Sequence, residues 1–147
     1  MRRPRYSREL VDGWFASADW PGLVVIQKAL VCHPSFDRSR ADLGLPLSLF
    51  AINEGMIWLA LSDRSGTLSY FEATSEPRQQ AMLKAMANLA PSELSEMYQR
   101  GMQDWNQPER AEEIDVWFSS HINTRRIEQW LWRVAKAERP LIESLLI

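Results

Sequence analysis

Residues 46–91 decide the fold of this chain, and they read PLSLFAINEGMIWLALSDRSGTLSYFEATSEPRQQAMLKAMANLAP. The first part of this stretch, Leu47 to Leu61, is almost wholly apolar, apart from Ser48, Asn53 and Glu54. A segment with apolar residues on all sides is typical of an element at the centre of a core. We therefore expect the amphipathic segments before and after it to pack against it.

Residues 47–73 allow two interpretations. In the first, MIWLAL and TLSYFEA are the two strands of a small hairpin over Met56–Ala73, joined by the turn SDRSG. In the second, a buried helix ends near Leu61, SDRSG is an interhelical loop, and a short helix carries Leu68 and Phe71. Composition alone does not separate these interpretations.

The flanking segments show helical signals. Ser7 is a candidate N-cap for a first helix, Asp19 followed by Pro21 opens a second, and Ser75 begins a third. Thr124 is the N-cap candidate of the last long helix. The clearest amphipathic stripe belongs to a helix after Pro91, with Leu94, Met97, Tyr98, Gly101, Met102 and Trp105 at helical spacing.

The sequence therefore predicts an all-α fold. A chain of 147 residues with 46% hydrophobic residues is long enough for one core and too short for two ordinary domains. We expect a single globular domain over residues 1–147, a bundle of about six or seven helices around Leu47–Leu61. The hairpin over Met56–Ala73 is the alternative.

Composition restricts the functional class. The net charge of −2 argues against non-specific binding to nucleic acid, and no segment is apolar enough to cross a membrane. One cysteine, Cys32, and no secretory signal predict a cytoplasmic protein. Arg2, Arg3 and Arg5 form a basic terminus, but no helix rich in base-reading side chains accompanies it, so we expect no direct nucleic-acid binding. No cofactor or metal motif is present.

Acidic residues are concentrated in one segment. Residues 93–115 contain seven acids and two arginines, a net charge of −5. Such a surface is suited to a partner protein with a basic surface, although an ordinary solvated face has the same composition. Two tryptophans flank the acidic connection, and each either anchors the interface or belongs to the core. The predicted partner-binding residues are Asp104, Trp105, Glu109, Glu112, Glu113, Asp115 and Trp117.

Three other side chains stand out. Trp132 is turned by about 200° from Trp130 on a helix with about 100° per residue, which predicts that Trp132 is exposed. Glu54 lies in the apolar run, where burial raises the pKa of a carboxyl group, and His121 is an isolated histidine. A small enzyme that uses Glu54 or His121 in a pocket is therefore the alternative function. A helix end or a salt bridge is the more ordinary explanation of Glu54, and a capping or surface role is the commoner one for a lone histidine.

Residues Arg64–Ala90 resemble the DNA-mimic protein family of small helical bacterial proteins. Gly66 takes the place of a family loop glycine, Tyr70 and Phe71 that of an aromatic pair, and 74–75 that of a polar pair. Ala85–Met86 and Leu89–Ala90 occupy the helix positions that follow. The resemblance implies an α-helical protein that binds another protein, in some members through an acidic surface that imitates DNA phosphates.

Together these observations predict a non-enzymatic inhibitor. It would be either the immunity protein that neutralises a bacterial toxin or a DNA mimic that occludes a DNA-binding protein. The sequence does not determine its oligomeric state.

Overall fold

A computed structural model describes residues 5–147, which contain nine α-helices and no strand. The helices are α1 Arg8–Ser17, α2 Trp20–Leu30, α3 Leu47–Ser65, α4 Thr67–Ala73, α5 Glu76–Leu89, α6 Ser92–Asp104, α7 Pro108–Phe118, α8 His121–Ala137 and α9 Arg139–Leu146. The all-α prediction is confirmed. The count exceeds six or seven because α4 and α9 are separate short helices.

No helix in the described range has the length and hydrophobicity needed to cross a bilayer. Arg2 and Arg3 of the basic terminus lie outside the described residues.

Helix α3 lies at the centre of the core. It packs against α2, α4, α5, α7 and α8, and most of its apolar positions and three of its polar ones, Ser48, Glu54 and Ser62, are buried. Because neighbours surround α3, its sequence needs no polar face, which explains the apolar run. The buried apolar side chains of the described residues form one cluster around it, from Val11 to Leu146.

A single glycine separates α3 from α4. The helix continues through residues 62–65, which were expected to form a loop or a turn, and ends at Gly66 with φ +88°. The Gly66 N–H donates to the Ser62 carbonyl oxygen at 3.0 Å. Positive φ favours glycine because a side chain at such a residue meets the backbone. The hairpin over Met56–Ala73 is therefore excluded, since both of its expected strands are helical.

Three of the four named helix starts, at Ser7, Asp19 and Ser75, were correctly identified, and one was placed too late. The Oγ atoms of Ser7 and Ser75 accept backbone N–H groups at 3.2 and 3.4 Å, as expected of N-caps. Helix α8 begins at His121 rather than after Thr124, whose hydroxyl instead donates to the carbonyl oxygens of Ser120 and His121. Helix α7 begins at Pro108, and the first turn of a helix is a favourable position for proline.

The prediction that Trp132 is exposed is wrong. Its side chain is 2% exposed, lies edge-on to Phe15 and donates its indole N–H to the Asp19 carbonyl oxygen at 2.8 Å. Helix α8 buries one stripe against α3, whereas Trp132 on another face is covered by α1 and the start of α2. A helix between two layers has two buried faces, so distance from one stripe does not indicate exposure.

Candidate functional site

The predicted partner-binding residues lie at one corner of the molecule. Asp104 ends α6, Trp105 follows it, and the other five lie on α7, which packs against α6. Helix α7 buries Ala111, Ile114 and Phe118 against the rest of the protein. Its remaining faces carry the acids. The corner therefore brings the predicted residues together, but it places them in different environments.

Two of these acids are paired with arginines. The Arg110 guanidinium donates to Asp104 Oδ1 at 3.3 Å, and the Arg100 guanidinium donates to Glu113 Oε2 at 3.2 Å. Ion pairs with exposed arginines contribute little to stability. They nevertheless offset the negative charge that Asp104 and Glu113 present to a partner.

Asp115 has a role inside the fold. Its Oδ1 accepts the backbone N–H of Thr67 at 2.7 Å, at the start of α4. The first N–H groups of a helix have no partner within the helix, and a carboxylate there also interacts favourably with the helix dipole. Asp115 therefore caps a helix that lies 48 residues earlier in the chain. One of its carboxylate oxygens is engaged within the protein.

The two tryptophans of the predicted site are half-buried. Trp117 lies edge-on to Phe118, with ring centroids 5.1 Å apart, and Trp105 packs against the core. The prominent exposed apolar side chains at this corner are instead Val116 and Ile122, which are 64% and 70% exposed. The sequence analysis missed both. No local signal could have found them, because the position of a residue around a helix does not show which faces a neighbouring element covers.

One face of α7 remains open to a partner. Glu109, Glu112 and Val116 are exposed and recur at i, i+3 and i+7, which places them along one side of the helix. The carboxylates of Glu109 and Glu112 form no ion pair with any of the residues 5–147. Ile122 follows the short turn into α8. We refer to Glu109, Glu112, Val116 and Ile122 as the α7 surface.

Glu54 is buried in a chain of hydroxyl groups. It is 1% exposed, and Tyr70 donates its hydroxyl to Glu54 Oε1 at 2.7 Å. The Tyr98 hydroxyl lies 2.8 Å from that of Tyr70, so a second hydrogen bond joins the two tyrosines. The other Glu54 oxygen, Oε2, has no partner among the described residues. Burial raises the pKa of Glu54, which the Tyr70 hydrogen bond and the charge of Arg78 only partly oppose.

This raised pKa predicts a pH-dependent difference between the wild-type protein and a Glu54→Gln variant. The folded state retains a proton on Glu54 at pH values where the unfolded chain has lost it, so Glu54 lowers stability as pH rises above its ordinary pKa. We expect Glu54→Gln to unfold at a higher urea concentration than the wild type at neutral pH. The difference should shrink towards acidic pH. Urea denaturation over a pH series tests this, and a difference that does not vary with pH would contradict it.

His121 lies at the surface in a cleft that also contains Asp63 and Glu128. No hydrogen bond joins its ring to another side chain in the described part of the protein, so no nucleophile and base pair is assembled around it. Glu54 has a tyrosine partner but lies inside the core. Neither residue combines a polar cleft with a bonded titratable partner, and the geometry supports no catalytic assignment for them. Within residues 5–147, histidine, cysteine and carboxylate side chains form no group of three that could hold a metal ion.

Comparison with protein-family models, with curated protein sequences and with solved structures found no match to this chain. The resemblance of residues 64–90 to the DNA-mimic protein family therefore stays a prediction from the residues quoted above.

Proposed function

We propose that this protein is a non-enzymatic inhibitor that binds a protein with a basic surface. The observation that carries the proposal is the α7 surface, where two unpaired carboxylates share one helix face with the strongly exposed Val116, and the exposed Ile122 follows at the start of α8. Protein interfaces typically place apolar contacts at the centre and charges around them. The α7 surface offers both on neighbouring elements.

The chemistry of the surface specifies the partner. Glu109 and Glu112 attract lysines and arginines, whereas Val116 and Ile122 need an apolar surface on the partner to leave water. A toxin neutralised by an immunity protein and a DNA-binding protein occluded by a DNA mimic both fit this description. In either case charge attraction speeds the encounter and weakens as salt screens it.

The proposal differs from the sequence prediction in the residues it relies on. Glu109 and Glu112 remain binding residues, and Val116 and Ile122 are added to them. Asp104, Glu113 and Asp115 have partners inside the fold. Trp105 and Trp117 are not counted among the binding residues, since both pack partly against the core.

Charge reversal on the α7 surface should abolish most binding. Like charges placed opposite each other cost several kcal/mol, so Glu109→Lys with Glu112→Lys is expected to weaken affinity by at least about tenfold. The measurement is capture of partners from a lysate of the cells that produce the protein, at low and at high salt, with mass spectrometry and then titration of the purified partner. Adding duplex DNA as a competitor distinguishes a DNA mimic from an immunity protein. The DNA should displace a DNA mimic from its partner, but not an immunity protein that is bound elsewhere on a toxin.

A matched control is available. Glu9 and Glu72 are also exposed and have no ion pair among the described residues, so Glu9→Lys with Glu72→Lys makes the same change in net charge elsewhere. This control should retain the partner. Equal loss of binding in both double variants would show that net charge, rather than the α7 surface, determines binding. Retention of the partner by the α7 variant would overturn the proposed site.

A further inference from the structure

A second candidate site is the cleft that contains His121. It lies between α3, α8 and the first residue of α2, and its volume is about 470 Å³. Helix α8 contributes His121, Arg125 and Glu128, which share one face at i, i+4 and i+7. Asp63 of α3 and the indole of Trp20 complete the polar and aromatic lining.

These side chains have no partners within the described protein. Asp63, Glu128, His121 and Arg125 form no side-chain hydrogen bond or ion pair with any residue from 5 to 147. Arg125 therefore leaves both carboxylates unpaired, although its charge acts on Glu128. Polar side chains that converge on a cleft without satisfying one another are available to a ligand.

The charges in and beside the cleft favour a cation. Glu128 is half-buried, and its pKa is raised first by burial and also by the nearby negative charge of Asp19, while Arg125 opposes the shift. The lining thus carries two carboxylates, Asp63 and Glu128, against the single fixed positive charge of Arg125, and the charge of Asp19 acts on Glu128 from beside the cleft. A positively charged ligand would relieve this repulsion.

We propose that this cleft binds a small organic cation, with a guanidinium or ammonium group held between the Trp20 ring and the carboxylates of Asp63 and Glu128. The indole face attracts cations, and a tryptophan is the strongest aromatic partner for them. Carboxylates form short, charge-assisted hydrogen bonds with the N–H groups of such a cation. This site is separate from the α7 surface and does not depend on the inhibitor proposal.

The probes that test this site share a short alkyl chain and differ in the charge of the head group. n-Butylguanidinium and n-butylammonium carry one positive charge, n-butylurea is the neutral counterpart of the first, and n-butyrate carries a negative charge. Each is titrated into the full-length protein while the indole N–H signal of Trp20 is followed by NMR. The Trp20→Phe variant identifies that signal by its absence. We expect saturable shifts with the two cations and none with the urea or the carboxylate.

Two kinds of variant give opposite expectations. Asp63→Asn and Glu128→Gln should each weaken binding of n-butylguanidinium by about tenfold or more, because each replaces a carboxylate that pairs with the cation by a neutral amide oxygen. Arg125→Ala should strengthen it by about two- to fivefold, because it removes a competing positive charge. The unchanged indole signals of the buried Trp130 and Trp132 serve as the control for folding.

Several results would overturn the proposal. They are the absence of a saturable shift with either cation, equal binding of n-butylurea, and binding of n-butyrate alone. Unchanged affinity in both carboxylate variants would also overturn it. So would loss of n-butylguanidinium binding in Arg125→Ala, since Arg125 would then contribute to the site instead of competing with the cation.

Discussion

Replacing Trp132 with alanine should destabilise the protein by about 3–5 kcal/mol, the usual cost of removing a buried tryptophan. The side chain fills the space between α8 and the α1–α2 pair, where it meets Phe15 and lies against Gly22. It also donates a hydrogen bond to the Asp19 carbonyl oxygen. Because domains of this size are stable by only about 5–15 kcal/mol, such a loss should lower the urea midpoint by a large fraction. Far-UV circular dichroism is the appropriate probe, because the substitution changes the fluorescence itself.

A milder variant separates packing from hydrogen bonding. Trp132→Phe keeps an aromatic ring but leaves the Asp19 carbonyl oxygen without this donor, which typically costs about 1 kcal/mol in addition to the smaller ring volume. We expect its midpoint to lie between those of the wild type and Trp132→Ala. If Trp132→Ala unfolds at the same urea concentration as the wild type, the side chain is exposed after all.

The second large effect is expected at Gly101. A Cβ atom added there would lie 2.3 Å from Cε2 and 2.6 Å from Cζ of Phe71, far inside van der Waals contact. Phe71 is buried, lies edge-on to Tyr70 and packs at a tilt against Tyr98, so its ring cannot move without displacing the tyrosines that carry the hydrogen-bond chain to Glu54. Overpacking of this kind costs about 1–3 kcal/mol, so Gly101→Ala should be clearly destabilised in the same denaturation assay.

The control for Gly101 lies on another helix. Gly13 is also in a helix, but a Cβ there meets nothing within 4 Å. Gly13→Ala should therefore stabilise the protein by about 0.5–1 kcal/mol, the ordinary helix preference for alanine. A Phe71→Leu background should reduce the cost of Gly101→Ala, because the atoms that clash are removed. Equal costs in both backgrounds would contradict the proposed contact.

Much of the fold could be predicted because helical signals are local. The serine caps of α1 and α5 and the apolar stripe of α6 are each formed by residues that are close in sequence. The structure confirms all three. The central helix was ambiguous for a physical reason. An element buried on all sides loses the periodicity that distinguishes a helix from a strand, so the sequence left the hairpin open.

The sites were less predictable because they depend on contacts between distant segments. Nothing in the local pattern shows that Arg100 reaches Glu113, or that Asp115 binds Thr67. The spacing of Arg125 and Glu128 places them on one face of a helix, but only the tertiary structure brings Trp20 and Asp63 beside them. The prediction that Trp132 is exposed was wrong for the same reason, since α1 and the start of α2, which cover its side chain, come from the beginning of the chain.

The hydrogen bond between Asp115 and Thr67 joins two segments that leave the ribosome at different times. Gly66 and the start of α4 leave the ribosome well before the carboxylate that caps them, which belongs to α7. Until α7 has been made, the first turn of α4 has only water as a partner for the Thr67 N–H, and a helix of seven residues is too short to be stable alone. The corner between α3 and α4 is therefore secured late, by a segment from the second half of the nascent chain.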